Sequence, residues 1–153
     1  MSRTYHVDRT IPAQGAVWVF GSNLAGRHGK GAAEIAVNQF GAKRFVGKGR
    51  VGQSYAIATK DGRKYEKPMA ILSLAIIKPQ IEEFIEHARS HPQDQFFITR
   101  VGCELAGYDN DEIAPLFRDA PSNCSMAEEW RPFLEPDQPG PTTGQSGEQQ
   151  LLW

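Results

Sequence analysis

Four glycines within eleven residues, Gly21, Gly26, Gly29 and Gly31, separate the apolar run at 16–20 (AVWVF) from an alanine-rich segment that begins after Lys30. A strand that feeds a glycine-rich turn and then a helix makes an anion site. The glycines let the backbone turn tightly and come close to a ligand, and the first amides of a helix lack intrahelical acceptors and point outward. The guest that fits is a phosphate or diphosphate. Its candidate binding residues are Gly21, Ser22, Asn23 and Leu24 where the strand ends, and Gly29, Lys30, Gly31 and Ala32 where the helix begins. Asn23 can hydrogen-bond a ribose or a base edge, and Arg27, His28 or Lys30 can reach a phosphate.

Residues 100–108 (RVGCELAGY) repeat the arrangement, a strand ending in a loop before a helix. In an open α/β sheet, ligands settle outside the carboxyl ends of the strands, so the two loops can face one crevice. This adds Gly102, Cys103, Glu104, Leu105, Ala106, Gly107 and Tyr108 to the candidate set, with Tyr108 either covering a sugar or filling the core. Lys60 ends a further strand-like run, where it can serve as a phosphate counter-charge or, if desolvated, as a nucleophilic amine. Lys60-Asp61-Gly62 is also an ordinary turn sequence, and spacing alone favours the turn.

Other chemistry finds less support. GKGRVG at 47–52 matches G-x-G-x-x-G, but it precedes a strand-like run instead of opening a helix, so it reads as a mobile basic loop. Lys30 is followed by glycine where a P-loop needs Ser or Thr for magnesium. His6, His28, His87 and His91 lack partners at ligand spacing, and no metal or cofactor is implied. Cys103 and Cys124 read as reduced thiols, Cys103 as a buried one, and Glu82, Glu83 and Glu86 as an exposed helix face.

The elements that must hold these loops alternate. Strands are expected at 16–20, 53–59, 69–74 and 95–101, with a short one at 123–126. Helices are expected after Lys30 up to Gly41, from Pro79 in a first turn to the stop at His91-Pro92, and from a capping box formed by Asp109 and Glu112. This pattern predicts a three-layer α/β domain with a mixed central sheet and helices on both faces. The domain spans 1–134. Residues 135–153 read as a flexible tail because 136–149 carry no aliphatic or aromatic side chain, and Leu151-Leu152-Trp153 is either a docking peptide or a cluster that folds back.

With 17 Lys and Arg against 18 Asp and Glu, the net charge of −1 predicts no general nucleic-acid binding. No apolar run is long enough for a membrane span, the start lacks the apolar core of a signal peptide, and two cysteines suit a reducing cytoplasm.

Three segments resemble macro domains, which bind ADP-ribose, and are most similar to the branch that includes terminal ADP-ribose glycohydrolases. They are GSNLAGRHGKGAAEIAVNQFG, SYAIATK and ITRVGCELAGY, together covering about residues 16–118. The whole pattern, including IAPLFRDAP and EEW, looks most like an uncharacterised phage-associated family of small macro-like proteins. The resemblance implies ADP-ribose or a related nucleotide diphosphate as ligand and Lys60 as the group that attacks the ribose carbon. The acidic residue that completes release in that branch aligns with Ala106, and Glu104 stands where the motif has its second glycine. Asp8 is the only residue near the place of the aspartate that selects adenine. Three readings stay open: a nucleotide-binding domain, an ADP-ribosyl glycohydrolase, and a non-enzymatic phage protein that sequesters a nucleotide signal or docks a host protein through its tail.

Overall fold

Alternation along residues 17–23 sets the architecture. Val17 and Val19 enter one hydrophobic cluster, Trp18 and Phe20 another, and all four are fully buried. A strand apolar on both faces has to be covered on both. The computed structural model describes residues 3–64, 66–135 and 150–151 and provides that cover.

The sheet has six strands in the spatial order β1 (Thr4–His6), β7 (Cys124–Ala127), β6 (Phe96–Ile98), β3 (Val17–Asn23), β5 (Ser54–Lys60) and β4 (Gly49–Val51). The first five run parallel, and β4 returns antiparallel along β5. On one face α1 (Gly31–Gln39) packs Ala33 and Ala36 against Trp18, Phe20 and Phe97, with Phe40 stacked on Trp18 at 5.0 Å. On the other, α2 (Leu74–Arg89) buries Ile77, Ile81, Phe84, Ile85 and Ala88 at helical spacing against Val17, Val19, Ile57 and Ile98. Each large side chain that α2 removes from water contributes about 1.5–3 kcal/mol, so that helix is held by its apolar face, while the small Ala33 and Ala36 let α1 lie close to the sheet. The fold is a three-layer α/β domain.

The chain after β3 crosses through α1 to β5 on one side. After β6 it passes through α3 (Asn110–Ile113) and the 3₁₀ turn Ala114–Phe117 to β7 on the other side. The connections therefore diverge between β3 and β6, a topological switch point, where open sheets leave a crevice.

Several expectations need correction. Residues 69–74 are not a strand: β4 pairs only Ser54–Ala56 of β5, and beyond it the segment makes no more than an isolated bridge from Ile71 to Lys60 before Leu74 opens α2. Pro79 lies inside that helix instead of in its first turn, on an exposed position one turn after the exposed Ala75, whose carbonyl loses the proline's missing N–H. Residues 47–52 are no mobile loop either. They hold β4, joined to β5 by a tight hairpin, and Arg50 is pinned to the Gly52 carbonyl at 2.7 Å and Asp94 at 3.2 Å. A strand absent from the expected set, β1, pairs parallel with β7 at the edge of the sheet.

The proposed tail falls mainly on 136–149 and 152–153, outside the described residues. Glu135 accepts a hydrogen bond from the Tyr5 hydroxyl, and β8 (Gln150–Leu151) pairs antiparallel with β2 (Thr10–Ile11). Among the described residues no helix is long and apolar enough to cross a membrane.

Candidate functional site

The carboxyl ends of β3, β5 and β6 open on one crevice of about 860 Å³. Its floor is backbone: a Cβ built on Gly21 would lie 3.5 Å from the Gly102 amide nitrogen and 3.5 Å from Thr59 Oγ1. The two glycine-rich loops read from the sequence thus meet at the switch point. Ser22, Asn23, Gly29, Lys30, Gly31 and Ala32 line it from one loop, and Glu104, Leu105 and Ala106 from the other.

The helix end is open toward this space. Lys30 occupies the N-cap in extended conformation with no side-chain cap, which leaves the first amides of α1 without intrahelical acceptors. The Trp18 indole donates a 2.9 Å hydrogen bond to the Ala32 carbonyl and ties this turn to β3. A Cβ placed on Gly29 would meet nothing within 4 Å, so the protein itself does not require glycine there. The space above it is large enough for a ligand to approach the amides.

Residues 43–47 brace the first loop. Phe45 donates its amide to the Gly26 carbonyl at 2.8 Å, Ser22 Oγ donates to the Gly47 carbonyl, and His28 Nε2 donates to the Val46 carbonyl at 2.9 Å. The approach is so close that a Cβ on Gly26 would lie 2.5 Å from the Phe45 backbone, and one on Gly47 2.2 Å from the Asn23 carbonyl oxygen. Asn23 accepts from the Arg27 amide at 2.9 Å and donates to the Arg27 carbonyl at 3.1 Å; it holds the turn. His28 is completely buried, and burial lowers its pKa. It is a neutral brace, and a role reaching out to a phosphate does not suit it.

The second loop is organised by Arg100. Its guanidinium bonds Asp8 at 3.1 Å, Glu104 at 3.2 Å and Asn110 at 3.1 Å, and Arg9 reaches Glu104 at 2.9 Å. Burial first, and the charge of Asp8 second, raise the Glu104 pKa against the opposing pull of both guanidinia. Asp8 is therefore committed to an ion pair. Leu24, Cys103, Gly107 and Tyr108 do not line the crevice. Leu24, Cys103 and Tyr108 pack on the main core, and Tyr108 donates its hydroxyl to the Leu72 carbonyl at 2.6 Å. Burial pushes the Cys103 thiol up to about 12, which makes it a poor nucleophile. Asp109 and Glu112 form the capping box of α3.

Lys60, half-buried at the end of β5, lines the crevice and makes no ion pair among the described residues. Arg9, Arg27, Lys30, Arg44, Lys67 and Arg100 also line it, against the carboxylates Glu66 and Glu104. Arg9, Arg44 and Lys67 were missed by motif reading. A signal was present: residues 1–70 hold 12 Lys and Arg against 4 Asp and Glu, and residues 71–153 hold 5 against 14. Among the described residues, the His, Cys, Asp and Glu group close enough to share a metal ion is the exposed trio Asp109, Asp111 and Glu112, two of which serve the helix cap.

No family model matches the chain, and no curated protein matches it. Two solved structures are similar in fold. An "Alphavirus P23pro-zbd" structure is 15% identical with a TM-score of 0.59, over 89% of this chain and 23% of that one. A protein of unknown function from Bacteroides thetaiotaomicron is 14% identical with a TM-score of 0.59, over 83% of this chain and 97% of that one. This chain spans under a quarter of the alphavirus chain's length, and at such identities the likeness is one of fold alone.

Proposed function

We propose that this is a macro-like domain that binds ADP-ribose or a related nucleotide diphosphate in the crevice between β3, β5 and β6. The observation that carries the reading is the uncapped start of α1 facing open space over Gly29 in a crevice whose charged lining is mostly cationic. Amides at the helix end favour the diphosphate through their partial positive charge, and Gly21 and Gly102 let the backbone approach it. Lys30 and Lys60 supply further positive charge. Titration calorimetry with ADP-ribose tests this: saturable heat and a rise in Tm are expected, and neither signal at millimolar ligand sinks the reading.

Lys60 supports a second reading, an ADP-ribosyl glycohydrolase. Its amine would attack the anomeric carbon of the distal ribose as the bond to the attached group breaks, that group leaving with a proton. Water would then release the sugar and restore the lysine. Glu66 and Glu104 are the carboxylates on the crevice, and Glu104 is held between two guanidinia. Stoichiometric binding without turnover instead fits a protein that sequesters a nucleotide signal.

A further inference from the structure

We infer that the loop at 43–48 is a contact surface for single-stranded nucleic acid, continuous with the rim of the crevice. The loop reads Lys-Arg-Phe-Val-Gly-Lys, and Lys43, Arg44 and Lys48 are exposed without an ion pair among the described residues. Between them stands Phe45, 82% exposed, the most exposed large apolar side chain among the described residues. Its φ is +72°, a conformation that costs a bulky residue energy and persists only when neighbours impose it. The neighbours are identified: the Phe45 amide on the Gly26 carbonyl and the Val46 carbonyl on His28.

The fold thus spends strain to hold an aromatic ring in water among three cations. Packing does not use the ring, and solubility argues against it. A nucleobase does use it, because every base has a face that stacks on an aromatic ring while lysines and arginines follow the phosphates. An acidic peptide would satisfy the charges and leave Phe45 without a partner. Arg44 belongs to both surfaces, since it also lines the crevice, and Lys67 extends the same cationic rim.

The near-neutral total charge predicts no nucleic-acid binding, but it conceals a division of the sequence into a half with 12 cations against 4 anions and a half with 5 against 14. Loop and crevice cations belong mostly to the first half. Local field, and not net charge, governs the approach of a polyanion. The surface lies outside the crevice reading and does not depend on what the crevice holds.

Fluorescence anisotropy with labelled oligothymidylate and oligouridylate of about a dozen nucleotides tests the inference, with a matched duplex and labelled oligoglutamate as competitors in kind. The full chain should bind a single strand, DNA or RNA, with log Kobs falling against log salt at a slope of about −2 for three phosphate contacts. Phe45→Ala should weaken binding at least about fivefold. Phe45→Gly should do the same while holding or raising Tm, because glycine accepts the positive φ, so loss of binding there cannot come from unfolding. No anisotropy change at low salt overturns the inference, as does equal binding by both Phe45 variants, or equal affinity for oligoglutamate or duplex. ADP-ribose calorimetry on the same sample separates the two ideas: heat without strand binding removes this inference alone, and strand binding without heat removes the crevice reading alone.

Discussion

The indole Nε1 of Trp18 donates a 2.9 Å hydrogen bond to the main-chain carbonyl of Ala32, across the boundary between the central strand and the first turn of α1. Trp18 is itself fully buried between Phe40 at 5.0 Å and Phe97 at 5.5 Å. The amides proposed to hold a diphosphate are therefore positioned by a core side chain. Trp18→Phe keeps an aromatic ring but loses the donor and some volume, and should cost about 1–3 kcal/mol in urea unfolding. ADP-ribose affinity should fall with it, since the helix end is no longer pinned to the strand. A variant of reduced stability with unchanged affinity would show that the turn keeps its place without the indole.

Gly29 offers the converse experiment. Space around its missing Cβ is open to 4 Å, so Gly29→Ala should change stability by no more than about 0.5 kcal/mol. Its methyl group projects into the region the ligand would occupy. Calorimetry should show weaker ADP-ribose binding, and Gly29→Val a larger loss, at nearly constant Tm. Full affinity in the valine variant would place the diphosphate elsewhere.

Much of this arrangement is legible in the sequence, for physical reasons that differ by residue. Residues 17–20 are an unbroken apolar run, which marks a strand buried on both faces, and the following glycines mark the turn. The pair Asp109 and Glu112 does form reciprocal bonds to the helix start. The beginning of α2 is hidden because the apolar residues at 69–74 mix a bridge residue, Ile71, with the first helical residue, Leu74, and because Pro79 resembles a start signal. The edge strand β4 is hidden because Gly49-Arg50-Val51 has one apolar side chain; its hairpin partner, not its composition, makes it a strand. Arg9 and Lys67 reach the crevice from loops remote in sequence, which no local motif encodes. For Tyr108 the sequence leaves two places open, over a ligand or in the core, and its packing on the main core with the hydroxyl donated to the Leu72 carbonyl decides between them.

Arg100 holds three segments at once, through Asp8, Glu104 and Asn110. Lysine carries the charge but has no planar fork to reach three acceptors. Arg100→Lys should destabilise the fold by about 2–4 kcal/mol, much of it from leaving the nearly buried Asp8 carboxylate poorly compensated. Removing that carboxylate should recover part of the loss, so Asp8→Asn with Arg100→Lys should be less damaging than the sum of the two single changes. Strict additivity in denaturant titrations would contradict the coupling.

His6 sets an acid sensitivity. The ring is 2% exposed, stacked on Phe97 at 3.6 Å, and burial lowers its pKa from 6.5 to about 3, with the Ile98 carbonyl opposing the shift. The native state keeps it neutral, while the unfolded chain takes up a proton below pH 6.5. The stability tied to this group is therefore complete above that pH and is lost as the pH falls toward about 3. One such site contributes a slope approaching about 1.4 kcal/mol per pH unit. Urea unfolding between neutral pH and pH 4 should show a shallower decline for His6→Gln than for the wild type. Parallel declines would exclude His6 as the source.

Lys60 separates binding from catalysis in the crevice. It stands at the end of β5, with its backbone carbonyl accepting from the Leu24 amide at 3.0 Å, so the strand geometry does not depend on the side chain. Lys60→Ala should fold normally and lose at most a few-fold in ADP-ribose affinity, the share of one cation among the seven on the lining. If the protein is a glycohydrolase, release of ADP-ribose from a modified substrate should vanish in this variant, and Lys60→Arg should not restore it. Arginine keeps the positive charge but offers no nucleophilic amine at neutral pH. Turnover retained by Lys60→Arg would mean that the residue acts through charge alone, and turnover retained by Lys60→Ala would remove it from the chemistry.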